Sequence, residues 1–284
     1  MKLFMISLIF TLLSQTPAWA SNPADTNKDR DYSIFDLKIE VNSTSYKAFV
    51  YRPTKLKIKA LLIISPTIKG MTSIEESNAQ YFSKRGYVVI ATEQFYTELN
   101  SPNPDPEKLN ADYYKPALAA ISFINAVDQK LNLPETLPIF ALGASQGGIF
   151  TLIIAAHVPR IKGAWFAVTG GDLPHIYAYS DVEELAKFRK NHMRILGMTK
   201  MKDYEDYLRL YLKNDPTISC KEIKVPFHQT IALRDTSVPT STQELLVDEC
   251  PPHDISRKNM NHAAGTVTTV LERQQIMDYF DDLI

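Results

Sequence analysis

Glycine is scarce in this chain, ten residues in 284. Glycine is the residue that fits where backbones crowd or turn left-handed, so any clustering of so few is informative. Cysteine is scarcer still, at two, which excludes a disulfide-dense mini-scaffold and cysteine-rich metal modules. Neither sign of charge dominates: 31 Lys and Arg face 32 Asp and Glu, for a net charge of -1. With no basic block anywhere, nucleic acid and anionic membrane surfaces are not expected partners. The six histidines lack H-x-x-H spacing, and no cluster of Asp with His or Cys resembles a ligand set. Neither a metal nor another cofactor is therefore expected. Internal repeats and low-complexity tracts are also missing.

The N-terminus reads as an export signal over residues 1–20. Lys2 supplies the positive n-region, Leu3 to Leu13 the apolar h-region, and Ala18-Trp19-Ala20 the cleavage site. The apolar run falls short of the roughly 20 residues that span a bilayer, and an uncleaved membrane anchor is the alternative to a processed signal. The expected mature protein starts at Ser21, with a polar leader over 21–30, and is secreted or periplasmic. In that oxidising setting the even cysteine count suggests a bond between Cys220 and Cys250, with two buried free thiols as the alternative. The sequon at 42–44 matters only in a host that glycosylates exported proteins.

With 45% apolar and 22% charged residues, the chain can bury a large core. Alternation over 32–41 and 46–52 reads as an antiparallel pair at a sheet edge. The continuous apolar runs 58–67, 87–94, 137–145 and 161–171 read as strands buried on both faces, with a further strand at 225–233. Helices are expected at 73–87, capped by Ser73 with Glu76 three residues on, at 116–131, 146–157, 240–248 and 263–283, and a short strand at 253–258. Residues 172–222 carry helical stretches and no convincing strand, and are expected to project as a lid. The order predicts one α/β domain over 31–284, with a mostly parallel central sheet flanked by helices.

Three of the ten glycines, Gly143, Gly147 and Gly148, crowd Ser145 in "LGASQGG", directly between a strand and a helix. G-x-S-x-G at that junction reads as the mounting of a nucleophile, where a sharp turn leaves no room for flanking side chains, with a plain strand-to-helix turn and an incidental serine as the alternative. A serine hydroxyl needs a base, and the base an orienting carboxylate. Asp235 closes the strand 225–233, and His262 follows the last short strand in "NMNHAA". Both would reach the strand ends where ligands bind in such a sheet. Asp172 is the alternative acid. His157, His175, His192, His228 and His253 suit packing or surface roles better, and Tyr113, Tyr114, Tyr177 and Tyr179 are pocket-lining candidates whose commoner role is packing.

Together "LGASQGG", "ALRDTSVP" and "NMNHAA" resemble the α/β-hydrolase family, in the chain order Ser…Asp…His, over nearly everything from Asp31 onward. The esterase and dienelactone-hydrolase-like branches are most similar. The resemblance implies a serine hydrolase that cleaves small carboxylic esters through an acyl-enzyme, without a cofactor. It also implies an oxyanion hole built from the backbone N–H of Gln146 and one from the loop after "LLIIS". Where the family often has His-Gly, this chain has Ser65-Pro66-Thr67. Pro66 cannot donate, leaving Thr67 first and Ile68 next. A peptidase or amidase of the same fold, and a catalytically silent binding protein on it, are the other readings.

Overall fold

The computed structural model describes residues 31–93 and 98–284. The expected signal segment, the polar leader and the start of the loop after residue 93 lie outside the described residues. Strands β1 (Tyr32–Val41) and β2 (Thr44–Pro53) form the antiparallel edge pair expected from their alternation. They are followed by β3 (Ala60–Ser65), helix α1 (Ser73–Ser83) and β4 (Tyr87–Thr92). Helices α2 (Pro106–Asp112) and α3 (Lys115–Leu131) lead into β5 (Ile139–Ala144), α4 (Gln146–His157) and β6 (Ile161–Ala167). A helical insertion holds α5 (Leu173–Tyr179), α6 (Glu183–Leu196), α7 (Met201–Tyr211) and α8 (Pro216–Ser219). The chain closes with β7 (Phe227–Ala232), α9 (Thr240–Glu249), β8 (Asp254–Lys258), α10 (His262–Leu271) and α11 (Arg273–Asp281).

The eight strands make one sheet in the order β1-β2-β4-β3-β5-β6-β7-β8, parallel from β4 through β8. Every residue of β3, β4, β5 and β7 is buried. Their unbroken apolar runs follow from helices covering both faces. Because side chains alternate across a strand, Leu61, Ile63, Val88 and Ile90 enter one core with α3, α4 and the insertion. Leu62, Ile64, Val89 and Ala91 enter the other with Phe82 of α1 and Phe280 of α11. Each buried Leu, Ile, Val or Phe among them contributes about 1.5–3 kcal/mol on leaving water, so this sheet is a rigid platform for whatever its strand ends carry.

Two helices depart from the sequence reading. The cap of α1 is Thr72, not Ser73: its side chain accepts from Ile74 N–H while Glu75, not Glu76, returns to the Thr72 N–H. The expected terminal helix breaks at Glu272, whose carboxylate pairs with Lys258. The break lets Ile276 and Phe280 reach the second core, where Phe280 stacks on Phe140 with ring centroids 4.6 Å apart. Cys220 and Cys250 are bonded, tying the end of the insertion to the end of α9. Closing this 30-residue loop contributes roughly 3–4 kcal/mol on the chain-entropy account. Among the described residues no helix is long and apolar enough to cross a membrane.

Buried imidazoles make the fold sensitive to acid. His228 lies in β7, stacked on Trp165 at 3.5 Å and bonded to Asp254 and Thr230. Burial lowers its pKa, as it does for His192 and His157. Each binds its proton more readily once unfolded, so stability is full above about pH 6.5 and falls as pH drops from there toward the lower folded values. Thermal melts at pH 7.5, 6.5 and 5.5 should show the midpoint falling in that window, above the range of ordinary carboxylates. A flat profile to pH 5.5 would remove these histidines from the account.

Candidate active site

The sheet reverses its winding direction between β3 and β5, whose ends meet where Ser65 pairs with Gly143. Ligands of open α/β sheets bind at such a switch point, beyond the carboxyl ends of the strands. Ser145 stands there, between β5 and α4, with φ 56° and ψ -127°. A non-glycine residue in this region costs on the order of 1–3 kcal/mol and persists only where its surroundings hold it. The holding contacts are Ser145 N–H to Ala167 O at 2.8 Å, and Gly148 and Ile149 N–H to Ser145 O at 3.0 and 3.2 Å. The glycines make the turn possible. A Cβ on Gly143 would sit 2.2 Å from Gly147 O, and one on Gly147 2.4 Å from Ser65 O.

Asp235 follows β7 and is 5% exposed. Its Oδ1 accepts the Ser237 and Val238 N–H groups, both at 2.9 Å. Its Oδ2 accepts from Gln243 Nε2 and meets His262 Nδ1, both at 2.8 Å. Four donors on one buried carboxylate fix its orientation. His262 opens α10, whose cap Asn261 accepts from Ala264 N–H at 3.0 Å. Its Nε2 lies 2.9 Å from Ser145 Oγ. In the neutral tautomer that satisfies both contacts, Nδ1–H donates to Asp235 and Ser145 Oγ–H donates to Nε2. The three side chains thus form one hydrogen-bonded chain across 117 residues of sequence.

The alternative acid, Asp172, is not in this chain: its carboxylate is taken by Arg209 at 2.9 Å. Asp172, His175 and Glu205 place ligand atoms within 4.8 Å of one another, the one such group among the described residues. Arg209 and Lys202 already neutralise its carboxylates, so the group reads as an ion-pair clasp between α5 and α7. Tyr113 and Tyr177 share a hydroxyl contact of 2.8 Å inside the first core, and Tyr114 packs edge-on against His157. These are packing roles. Tyr179 is exposed and tilted over His175.

The Gln146 N–H, at the start of α4, has no acceptor among the described residues and adjoins the Ser145 hydroxyl in sequence. Thr67 differs from expectation. Its N–H donates to Glu75 Oε1 at 3.2 Å, because a buried carboxylate on α1 takes the nearest unpaired amides of the loop before it. Sequence reasoning also passed over Gln243, which braces Asp235 through Nε2 while its Oε1 accepts from Ala232 N–H. Asp181, between α5 and α6, was likewise missed. It accepts from Thr236 and Ser237 hydroxyls at 2.6 Å each, and those bonds hold its carboxyl below the usual range. Such partners leave no local signature, since each is set by where another element docks.

No family model matches the sequence, and no curated protein matches it. Solved structures do match. An acetyl xylan esterase from Paenibacillus sp. R4 is similar at a TM-score of 0.75 and 14% identity, covering 99% of this chain and 94% of that one. An esterase from an Arctic intertidal metagenomic library is similar at 0.63 and 16%, covering 94% and 100%. The Pyrococcus horikoshii acylaminoacyl peptidase is similar at 0.65 and 15%, covering 93% of this chain but 44% of its own. With sequence identity this low, what is shared is the arrangement of strands and helices. This chain has the α/β-hydrolase fold.

Proposed function

We propose that the protein is an exported serine hydrolase of small carboxylic esters. The observation that carries the reading is the hydrogen-bonded chain Ser145–His262–Asp235, with links of 2.9 and 2.8 Å. Ser145 Oγ attacks the ester carbonyl while His262 Nε2 takes its proton, and Asp235 stabilises the imidazolium that results. The tetrahedral oxyanion is met by the Gln146 N–H and by a second amide from the loop between β3 and α1. His262 then protonates the leaving alcohol. Water, deprotonated by the same imidazole, releases the acid and restores Ser145. No cofactor takes part in these steps.

Support for an ester rather than an amide comes from the similar solved structures: of the three named above, two bear esterase titles. The acylaminoacyl peptidase keeps amide cleavage in the test. Export is supported by the N-terminal pattern and by the disulfide. The experiment compares purified mature protein on p-nitrophenyl esters of increasing acyl length and on matched p-nitroanilides, with fluorophosphonate labelling in parallel. Ester turnover above anilide turnover, with one labelled serine, is expected. Labelling with faster anilide cleavage would make the protein an amidase. Ligand binding without labelling or turnover would make it a silent member of the fold.

A further inference from the structure

The loop between β3 and α1 spends its amides unevenly. Pro66 has none, and the Thr67 N–H goes to Glu75 Oε1 at 3.2 Å. The Gly70 N–H closes a turn on Thr67 O at 2.9 Å, and the Met71 N–H goes to Glu93 O at 3.1 Å. The Thr72 N–H and hydroxyl both go to Glu75 Oε2, at 2.7 and 2.5 Å. Only the Ile68 and Lys69 amides, at the tip of the turn, have no acceptor among the described residues.

The side chain of Ile68, at this tip, packs on the core that α4 also enters through Ile149 and Phe150, whereas Met71 packs against the opposite core. The preceding carbonyls press on the start of α4: a Cβ on Gly147 would fall 2.4 Å from Ser65 O and 2.8 Å from Pro66 O. Lys69 lies one residue further out, its Nζ 4.0 Å from Glu184 of the insertion. Glu75 itself is 3% exposed, and its three described donors all come from this loop.

Building on the ester-hydrolase reading, we infer that Glu75 is a positioning residue: by spending the Thr67 N–H it leaves the Ile68 N–H as the second oxyanion donor. Glu75 touches no substrate. It clamps both ends of the turn, so that the amide between them is held out and needs no rearrangement when charge develops on the carbonyl oxygen. A helix cap alone requires only the Thr72 arm of this carboxylate. The Thr67 arm is the part the cap does not explain.

The test compares Glu75→Ala, Glu75→Gln and Thr72→Ala with wild type. Glu75→Ala is expected to lower kcat about 10- to 100-fold with KM within about twofold, since a misplaced oxyanion donor weakens the transition state and not the ground state. Glu75→Gln can keep its one oxygen on the Thr67 N–H with its NH2 group turned to the Thr72 hydroxyl, giving up only the Thr72 N–H bond, and should recover part of that loss. Thr72→Ala deletes the capping hydroxyl but keeps the Thr72 N–H on Glu75 and leaves the Thr67 arm intact, so it should lower the melting temperature and cost far less in kcat than Glu75→Ala. If Glu75→Ala retains wild-type kcat, or if Thr72→Ala loses kcat equally, the inference fails. Amide hydrogen exchange reads the loop without any turnover. Thr67 should exchange slowly and Ile68 rapidly, with Thr67 quickening in Glu75→Ala and Ile68 slowing when a trifluoromethyl ketone occupies the site. Slowing at Thr67 or Lys69 in place of Ile68 would overturn the assignment. A wild type without ester turnover would sink the ester-hydrolase reading, whereas the unliganded exchange pattern would still decide what Glu75 holds.

Discussion

Replacing Ser145 with alanine is expected to lower kcat on the best p-nitrophenyl ester by about a million-fold, the loss that follows when a triad nucleophile is removed. The melting temperature should barely move. Only one hydroxyl is deleted, its single described side-chain partner is the half-buried His262 Nε2, and one such bond is worth about 1 kcal/mol. The backbone that holds the elbow depends on the Ser145 N–H and C=O, which alanine retains. Activity and stability are thus separable at this residue. Stopped assays on the folded variant, with fluorophosphonate labelling as the second readout, check it. A Ser145→Ala protein that is still labelled and active would place the nucleophile elsewhere.

Asp235→Asn is expected to cost about 10⁴ in kcat. The carboxylate now has four described donors, two on each oxygen. An asparagine has one oxygen and one NH2 group, so half of those donors lose their acceptor whichever way it sits. If the NH2 takes the Oδ2 position, it faces the Gln243 amide and turns His262 to the tautomer whose Nε2 carries a proton. That nitrogen cannot accept from Ser145. If the NH2 takes the Oδ1 position instead, the Ser237 and Val238 amides are left unpaired in a buried site, at about 1–3 kcal/mol each. The variant should therefore lose activity and melt at a lower temperature, unlike Ser145→Ala. Kinetics alongside thermal melts distinguish the two; retention of a tenth or more of wild-type kcat would remove Asp235 from the orienting role.

Much of this site was legible in the chain before folding. The elbow could be read because its constraint is local: Gly143 and Gly147 flank a serine whose φ of 56° leaves no space for Cβ atoms. Asp235 and His262 could be read because each follows a strand with its own pattern. The Ser73 cap and the unbroken last helix were misread by small shifts, since Thr72 and Ser73 are both good caps and no Gly or Pro marks the break at Glu272. The partner of the Thr67 N–H went unseen for a different reason. Counting which residues possess an N–H says nothing of which acceptor will arrive, and Glu75 arrives from a helix.

Local pattern alone determined the α/β class, the buried strands, the tight turn at Ser145 and the order of the three candidate side chains, because periodicity and steric room act within a few residues. Docking decided the rest. The winding reversal between β3 and β5, the 2.8 and 2.9 Å links at His262, the bracing by Gln243 and the clamp by Glu75 all join residues whose distance apart is set by packed cores. A hydrogen bond is made or lost within a few tenths of an ångström, and only the whole fold places elements that finely.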